Sequence, residues 1–178
     1  MISMKVVLYI AQTVNGQIAR RNYKEDFFTD ESWDEFAKFA QQIGCFVVGR
    51  TTYEIYKKVR NSKYSFDKIN AKIVVVSKRR NLKVNKGCIL ANSPKDAIDK
   101  LSRFGFNKVL VTGGGLVNSS FMRSSLFDEI IINIEPYLLG NGIKVFSEAN
   151  FESKLKLRRV KMLKFGVVQL RYAVVQSR

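Results

Sequence analysis

A branched apolar run that stops on three consecutive glycines constrains this chain more than any other segment. Val109-Leu110-Val111-Thr112 leads into Gly113-Gly114-Gly115, and Leu116-Val117-Asn118-Ser119-Ser120-Phe121-Met122 follows. Short β-branched runs of this kind read as buried strands. Glycine at the strand's end lets the backbone turn sharply and approach a bound group. The helix expected beyond it offers free N–H groups and a partial positive charge, the setting in which phosphates bind. Glycines alone serve equally well as a plain strand–helix turn. Two phosphate loops are excluded. No Lys-Ser or Lys-Thr pair follows the glycines, and the third glycine and distal acid of a dinucleotide fingerprint are missing.

Strands and helices alternate through the rest of the chain. Lys5 to Ala11 reads as a strand, with a turn at Asn15-Gly16. Ser32 and Glu35 form a capping-box pattern, and Trp33, Phe36, Ala40 and Ile43 recur at helical spacing up to Gly44, a C-cap residue. Cys45 to Val48 is the next strand, stopping at Gly49-Arg50, and Thr51 to Lys58 starts another helix. Lys72 to Val76 and Ile89-Leu90 are strands, and Ser93 caps a helix with Pro94 in its first position. Glu129 to Ile134 is a further strand. Lys154 to Lys164 and Val167 to Val175 read as a closing hairpin about Phe165-Gly166, with Val168, Leu170, Tyr172 and Val174 turned inward. In Lys154-Leu155-Lys156-Leu157-Arg158 the cations alternate as on the wet face of a half-buried strand. The expected fold is α/β: one domain over residues 1–178, a mostly parallel sheet covered on both faces, and an antiparallel C-terminal hairpin.

Composition narrows the chemistry. The chain has no histidine and two cysteines among 178 residues. That removes histidine-based nucleophile activation and most zinc sites, and no metal ligand set is expected. Cys45 and Cys88 sit in apolar settings and read as core fillers. No apolar run approaches the ~20 residues of a membrane span, and no signal-like segment is evident, so a cytoplasmic protein is expected. A net charge of +16 makes nucleic-acid binding a rival reading. The basic residues are dispersed, however, and no nucleic-acid-binding signature accompanies them, which favours a solvated basic surface.

Ligands of open α/β sheets bind beyond the carboxyl ends of the strands. The segments that follow the strands here form a coherent set. They are Gln12 to Ala19, Gly49-Arg50-Thr51-Thr52-Tyr53-Glu54, Ser77-Lys78-Arg79-Arg80 and the triple glycine. Two helix starts, an arginine, two threonines and a Ser-Lys-Arg cluster make a site for several phosphates.

The same segments resemble the dihydrofolate reductase-like superfamily. Within it, they are similar to the reductase domain found C-terminally in the bifunctional deaminase–reductase of riboflavin synthesis. The most specific stretches are Leu126-Phe127-Asp128-Glu129 and Glu135-Pro136-Tyr137-Leu138-Leu139-Gly140-Asn141-Gly142. The resemblance implies a three-layer α/β/α fold, NADPH as cofactor, and a homodimer formed through the Glu129–Tyr137 region. It places Gly49, Arg50, Thr51 and Thr52 at phosphates, and Ser77, Lys78 and Arg79 at the adenosine 2′-phosphate. Gly113, Gly114, Gly115, Leu116 and Val117 would cradle the pyrophosphate, while Ala11 and Ile18 line the nicotinamide. Asn15, Trp33 and Phe36 face the substrate. The implied substrate is 5-amino-6-(5-phosphoribosylamino)uracil, reduced at ribose C1′; a dihydrofolate, pterin or other carbonyl compound is the alternative. Trp33 stands where dihydrofolate reductases carry a helix carboxylate, with Asp34 and Glu35 beside it. Asn15 and Thr112 stand where the riboflavin-type domains usually have Asp and Glu. With no histidine present, the expected proton source is water held by Asn15 or Thr13, or Lys144.

Overall fold

The computed structural model describes residues 4–59, 62–79 and 81–175. Among the described residues, ten strands and four α-helices follow one another. The strands are β1 (Lys5–Thr13), β2 (Gln17–Arg20), β3 (Cys45–Gly49), β4 (Lys72–Val76), β5 (Ile89–Ala91), β6 (Lys108–Val111), β7 (Glu129–Glu135), β8 (Gly142–Lys144), β9 (Lys154–Met162) and β10 (Val168–Val175). The helices are α1 (Asp30–Ile43), α2 (Arg50–Lys58), α3 (Pro94–Arg103) and α4 (Gly115–Arg123). Eight strands form one sheet in the order β5-β4-β3-β6-β1-β7-β10-β9, and β2 pairs with β8 in a separate ribbon. The first six strands of that order run parallel, and β10 is antiparallel to both its neighbours.

Alternation along each strand decides which layer a side chain enters. Val6, Leu8 and Ile10 of β1 point to the face covered by Ala97 and Leu101 of α3 and by Val117 and Phe121 of α4. Val7 and Tyr9 point to the opposite face, where Phe36 and Ala40 of α1 and Tyr53 of α2 pack with Phe46, Phe66 and Ile131. The result is a three-layer α/β/α arrangement. Among the described residues, no helix is long and apolar enough to cross a membrane.

The sheet carries the ends of β4, β3, β6 and β1 side by side, so the four phosphate-binding candidates do share one edge. Arg80 lies outside the described residues. Several local expectations change. The N-cap of α1 is Thr29, whose hydroxyl accepts from Ser32 N, so the helix begins before the Ser32–Glu35 pair. Ser32 is instead buried against Glu135, and Glu35 accepts from Lys161 Nζ at 3.4 Å. Gly44 ends α1 in the left-handed region, as expected. Strands β2 and β8 were not expected; three or four residues are too short to show a period. Strand β9 is exposed almost throughout rather than half-buried, because it is the sheet's edge and pairs with β10 alone. On β10, Val168, Leu170, Tyr172 and Val174 are only half-buried. The buried residue of β10 is the polar Gln169.

Candidate functional site

Two of the four helices lack the usual side-chain cap. Helices α1 and α3 are capped by Thr29 and Ser93 and carry acids in their first turns. Helices α2 and α4 begin at Gly49 and Gly114, with no side-chain cap bond and no first-turn acid. Their N-termini are adjacent, since Gly49 N donates to Gly113 O at 2.7 Å. Two uncapped N-termini converge, and their free N–H groups and dipoles favour an anion.

Each glycine of the triplet has its own reason. Gly113 lies at φ +97°, a conformation side chains rarely adopt. A Cβ on Gly114 would lie 3.4 Å from Thr52 Oγ1, so its backbone faces the first turn of α2. A Cβ on Gly115 would lie 2.7 Å from Lys144 O and 3.0 Å from Ser147 Oγ. This third glycine therefore serves close packing of α4 on the 142–147 segment. Gly115→Ala should lower folding stability by about 1–3 kcal/mol, measured by urea unfolding; an unchanged midpoint would mean that the segment yields freely.

Beside these N-termini opens a cavity of about 480 Å³. Its wall includes Ile10, Ala11, Ile18, Thr52, Thr112 and Gly114 on the glycine side. Across from them stand Trp33 and Phe36 of α1, Tyr56 of α2, and Phe66. Trp33 stacks on Tyr56 at 5.7 Å between ring centres, and Tyr56 on Phe66 at 4.0 Å. The segment between β2 and α1 closes the remaining side through Tyr23, Lys24, Glu25, Asp26 and Phe28. The structure thus brings Ala11, Ile18, Trp33, Phe36, Thr52 and Gly114 to one cavity.

Other expected residues stand apart from the cavity wall. The fully buried Thr13 hydroxyl donates to Asn15 Oδ1 at 2.8 Å and accepts from Gln17 N at 3.0 Å. Asn15 itself clamps Leu139 through both ends of its amide, donating to Leu139 O at 2.8 Å and accepting from Leu139 N at 3.2 Å. Thr13 thus holds Asn15, Asn15 holds the Leu139 loop, and neither lines the cavity. Lys144 is exposed at the end of β8 and does not line the cavity. Asp34 is exposed, and neither it nor Glu35 enters the cavity. Arg50 pairs with Glu54 at 2.8 Å one turn along α2. Ser77 Oγ accepts from Arg79 N at 3.0 Å, which shapes the turn and leaves Lys78 and Arg79 exposed at the end of β4.

Two carboxylates to which the sequence assigned no role in the site help to shape it. Glu135, wholly buried at the end of β7, accepts from Thr29 N and Thr29 Oγ1, each at 3.3 Å, and from Ser32 Oγ. It sits at the N-terminus of α1, where the helix dipole favours a negative charge. Asn133, Gln169 and Tyr9 extend this polar network behind the cavity. Burial pushes the Tyr9 hydroxyl's pKa up. Glu25 is the second carboxylate. Its Oε2 accepts from Tyr56 Oη at 2.6 Å, and burial raises its pKa to about 7 although that hydrogen bond pulls it down. Asp26 beside it behaves oppositely: Arg20 at 2.6 Å lowers its pKa.

The family model described as the RibD C-terminal domain matches residues 4–169. The chain belongs to the RibD C-terminal domain family. An uncharacterised Bacillus subtilis protein, YwjB, is 28% identical over 172 residues, covering 94% of this chain and 97% of its own. Among solved structures, a putative riboflavin biosynthesis protein from Shewanella sp. PV-4 superposes with a TM-score of 0.78 at 22% identity, covering 97% of this chain and 100% of that one. The deaminase/5-amino-6-(5-phosphoribosylamino)uracil reductase of Thermotoga maritima superposes at 0.73 with 17% identity, over 97% of this chain and 57% of that one. The RibD-type domain here thus has the dihydrofolate reductase-like α/β fold of these neighbours.

Proposed function

We propose that this RibD-type domain is an NADPH-dependent reductase that delivers a hydride to ribose C1′ of 5-amino-6-(5-phosphoribosylamino)uracil. The observation that carries this reading is the pair of uncapped glycine N-termini opening beside an aromatic cavity. The first seats phosphates and the second admits flat rings. When bound, NADPH supplies the hydride. The chain's own part is placement. Gly113 to Val117 and the first turn of α2, Arg50 to Thr52, hold the pyrophosphate, and Lys78 and Arg79 meet the 2′-phosphate beyond β4. Ala11 and Ile18 flank the nicotinamide, and Trp33 and Phe36 form the substrate wall, excluding water from the reacting atoms. Cytoplasmic location belongs to the same reading.

A pterin reductase on this scaffold is the second reading, favoured by the Glu25 carboxyl in an aromatic cavity. A thermal-shift panel of NADPH, NADH, dihydrofolate and the phosphoribosylamino-pyrimidine separates the two. Ligand at about 100-fold over its Kd should stabilise the fold by about 2.7 kcal/mol. If neither nicotinamide stabilises the protein, the reductase reading falls. The double variant Lys78→Ala/Arg79→Ala should weaken NADPH about 10- to 100-fold and leave NADH unchanged, since two charge-assisted bonds are lost; equal losses for both cofactors would remove these residues from the 2′-phosphate.

A homodimer remains part of the proposal, but not through Glu129–Tyr137. Strand β7 lies between β1 and β10 with both edges paired. The edge strand β9 exposes a row of apolar residues, Leu155, Leu157, Val160 and Met162. We therefore place the contact there. Sedimentation should give a dimer for the wild type and a monomer for Met162→Lys; a monomeric wild type would exclude it.

A further inference from the structure

We infer that the Glu25 carboxyl is the proton donor of this site, with Tyr56 as its positioning residue. The inference rests on the reductase reading above, and it supplies what the absence of histidine leaves open. The cavity wall contains two carboxyls among the described residues, Glu25 and Asp26. Asp26 is exposed and held by Arg20, so it stays ionised. Glu25 has no cation within ion-pair distance among the described residues; its partner is the phenol of Tyr56. Burial raises its pKa against the opposing pull of the Tyr56 bond, so it keeps its proton to higher pH than Asp26 does. Glu25 lines the same cavity as Ala11, Ile18, Thr52 and Gly114, the wall assigned to the nicotinamide.

The step balances without another group. As a hydride reaches the acceptor carbon of a C=N or C=O bond, the π pair moves onto the heteroatom. The Glu25 O–H bond breaks and its proton completes the new N–H or O–H. The substrate is reduced by two electrons and the nicotinamide is oxidised. The carboxylate left behind accepts from Tyr56 Oη and regains a proton from water. An acid poised near neutrality suits this task, and burial holds Glu25 there, at about 7. The charged and titratable groups facing it are Lys24, Asp26 and Tyr23 of its own segment, Tyr56 of α2, Tyr64, and Tyr9 of β1. Of these, Tyr23, Lys24, Asp26 and Tyr64 are exposed to solvent.

The test uses the full chain with NADPH and the phosphoribosylamino-pyrimidine, comparing wild type, Glu25→Gln and Tyr56→Phe. In protein labelled with carbon-13 glutamate, one carboxyl resonance should titrate near neutral pH, vanish in Glu25→Gln, and titrate higher in Tyr56→Phe. Single-turnover hydride transfer should slow in the wild type as pH rises through the same range. In Glu25→Gln it should be about 10²- to 10³-fold slower and lose that dependence, while the NADPH-induced thermal shift is kept. A Glu25 resonance that titrates with the ordinary glutamates overturns the inference, as does wild-type turnover and pH profile in Glu25→Gln. A wild type that no nicotinamide stabilises overturns the reductase reading and this inference together. Nicotinamide binding with an unaffected Glu25→Gln rate overturns this inference alone. If the pyrimidine is not reduced, the carboxyl titration still decides it.

Discussion

Replacing Glu135 with leucine should lower folding stability by about 3–5 kcal/mol, among the largest losses available to one substitution in this chain. Three donors converge on this buried carboxylate: Thr29 N, Thr29 Oγ1 and Ser32 Oγ. Leucine fills similar space but accepts nothing, so the buried Ser32 hydroxyl and the half-buried Thr29 donors lose their acceptor. The loss should also reach the cavity, because Thr29 and Ser32 form part of its wall. Glu135→Gln keeps the shape and one accepting oxygen, and should lose about 1–2 kcal/mol. Urea unfolding of the two variants measures the difference. If leucine costs less than about 1 kcal/mol, the N-terminus of α1 finds other partners and Glu135 is not what anchors it.

This carboxylate also marks the limit of sequence reasoning. The sheet and its helices were legible because buried parallel strands write themselves as apolar runs and helices as a period. Val109 to Gly115, Cys45 to Gly49 and Lys72 to Val76 all appear where those patterns placed them. Gly49 and the triple glycine announced uncapped helix starts by composition alone. Glu135 and Ser32, by contrast, lie 103 residues apart and meet only through the fold. Nothing local distinguishes Ser32 as a partner of β7 from Ser32 as a member of a capping box with Glu35. Glu25 was hidden for a related reason. It lies in an aperiodic segment, Asn22 to Phe28, among charges that read as solvated. Only the fold half-buries it in the cavity wall against Tyr56 of α2. Asn15 and Thr13 show the converse. A conspicuous Thr-x-Asn-Gly motif suggested chemistry, and its polar atoms instead fix the Leu139 loop.

The stability of the protein should fall as pH rises from about 4.5 to 7, and Glu25→Gln should remove most of that slope. The ordinary glutamate pKa of 4.5 is raised to about 7 in the folded chain. Below the lower value the carboxyl is protonated in both folded and unfolded states. Between the two, the unfolded chain releases its proton while the folded chain keeps it, so the unfolded state gains relative to the folded one. Above about 7 both are ionised and the loss is complete. At 1.36 kcal/mol per pKa unit, the whole loss is roughly 2–3 kcal/mol after allowing for partial solvent access. Glutamine cannot ionise, so the variant should match the wild type near pH 4 and exceed it by roughly that amount at pH 8. Asp26, whose pKa Arg20 lowers, pulls the wild-type curve the other way. It is present in both proteins and drops out of the difference. Urea unfolding of the pair across this range reads that difference directly, and parallel curves would show that Glu25 titrates as a solvated carboxyl. A wild type less stable than its glutamine variant at neutral pH is the expected signature of a group kept for chemistry, since an acid held in an aromatic cavity weakens the fold that holds it.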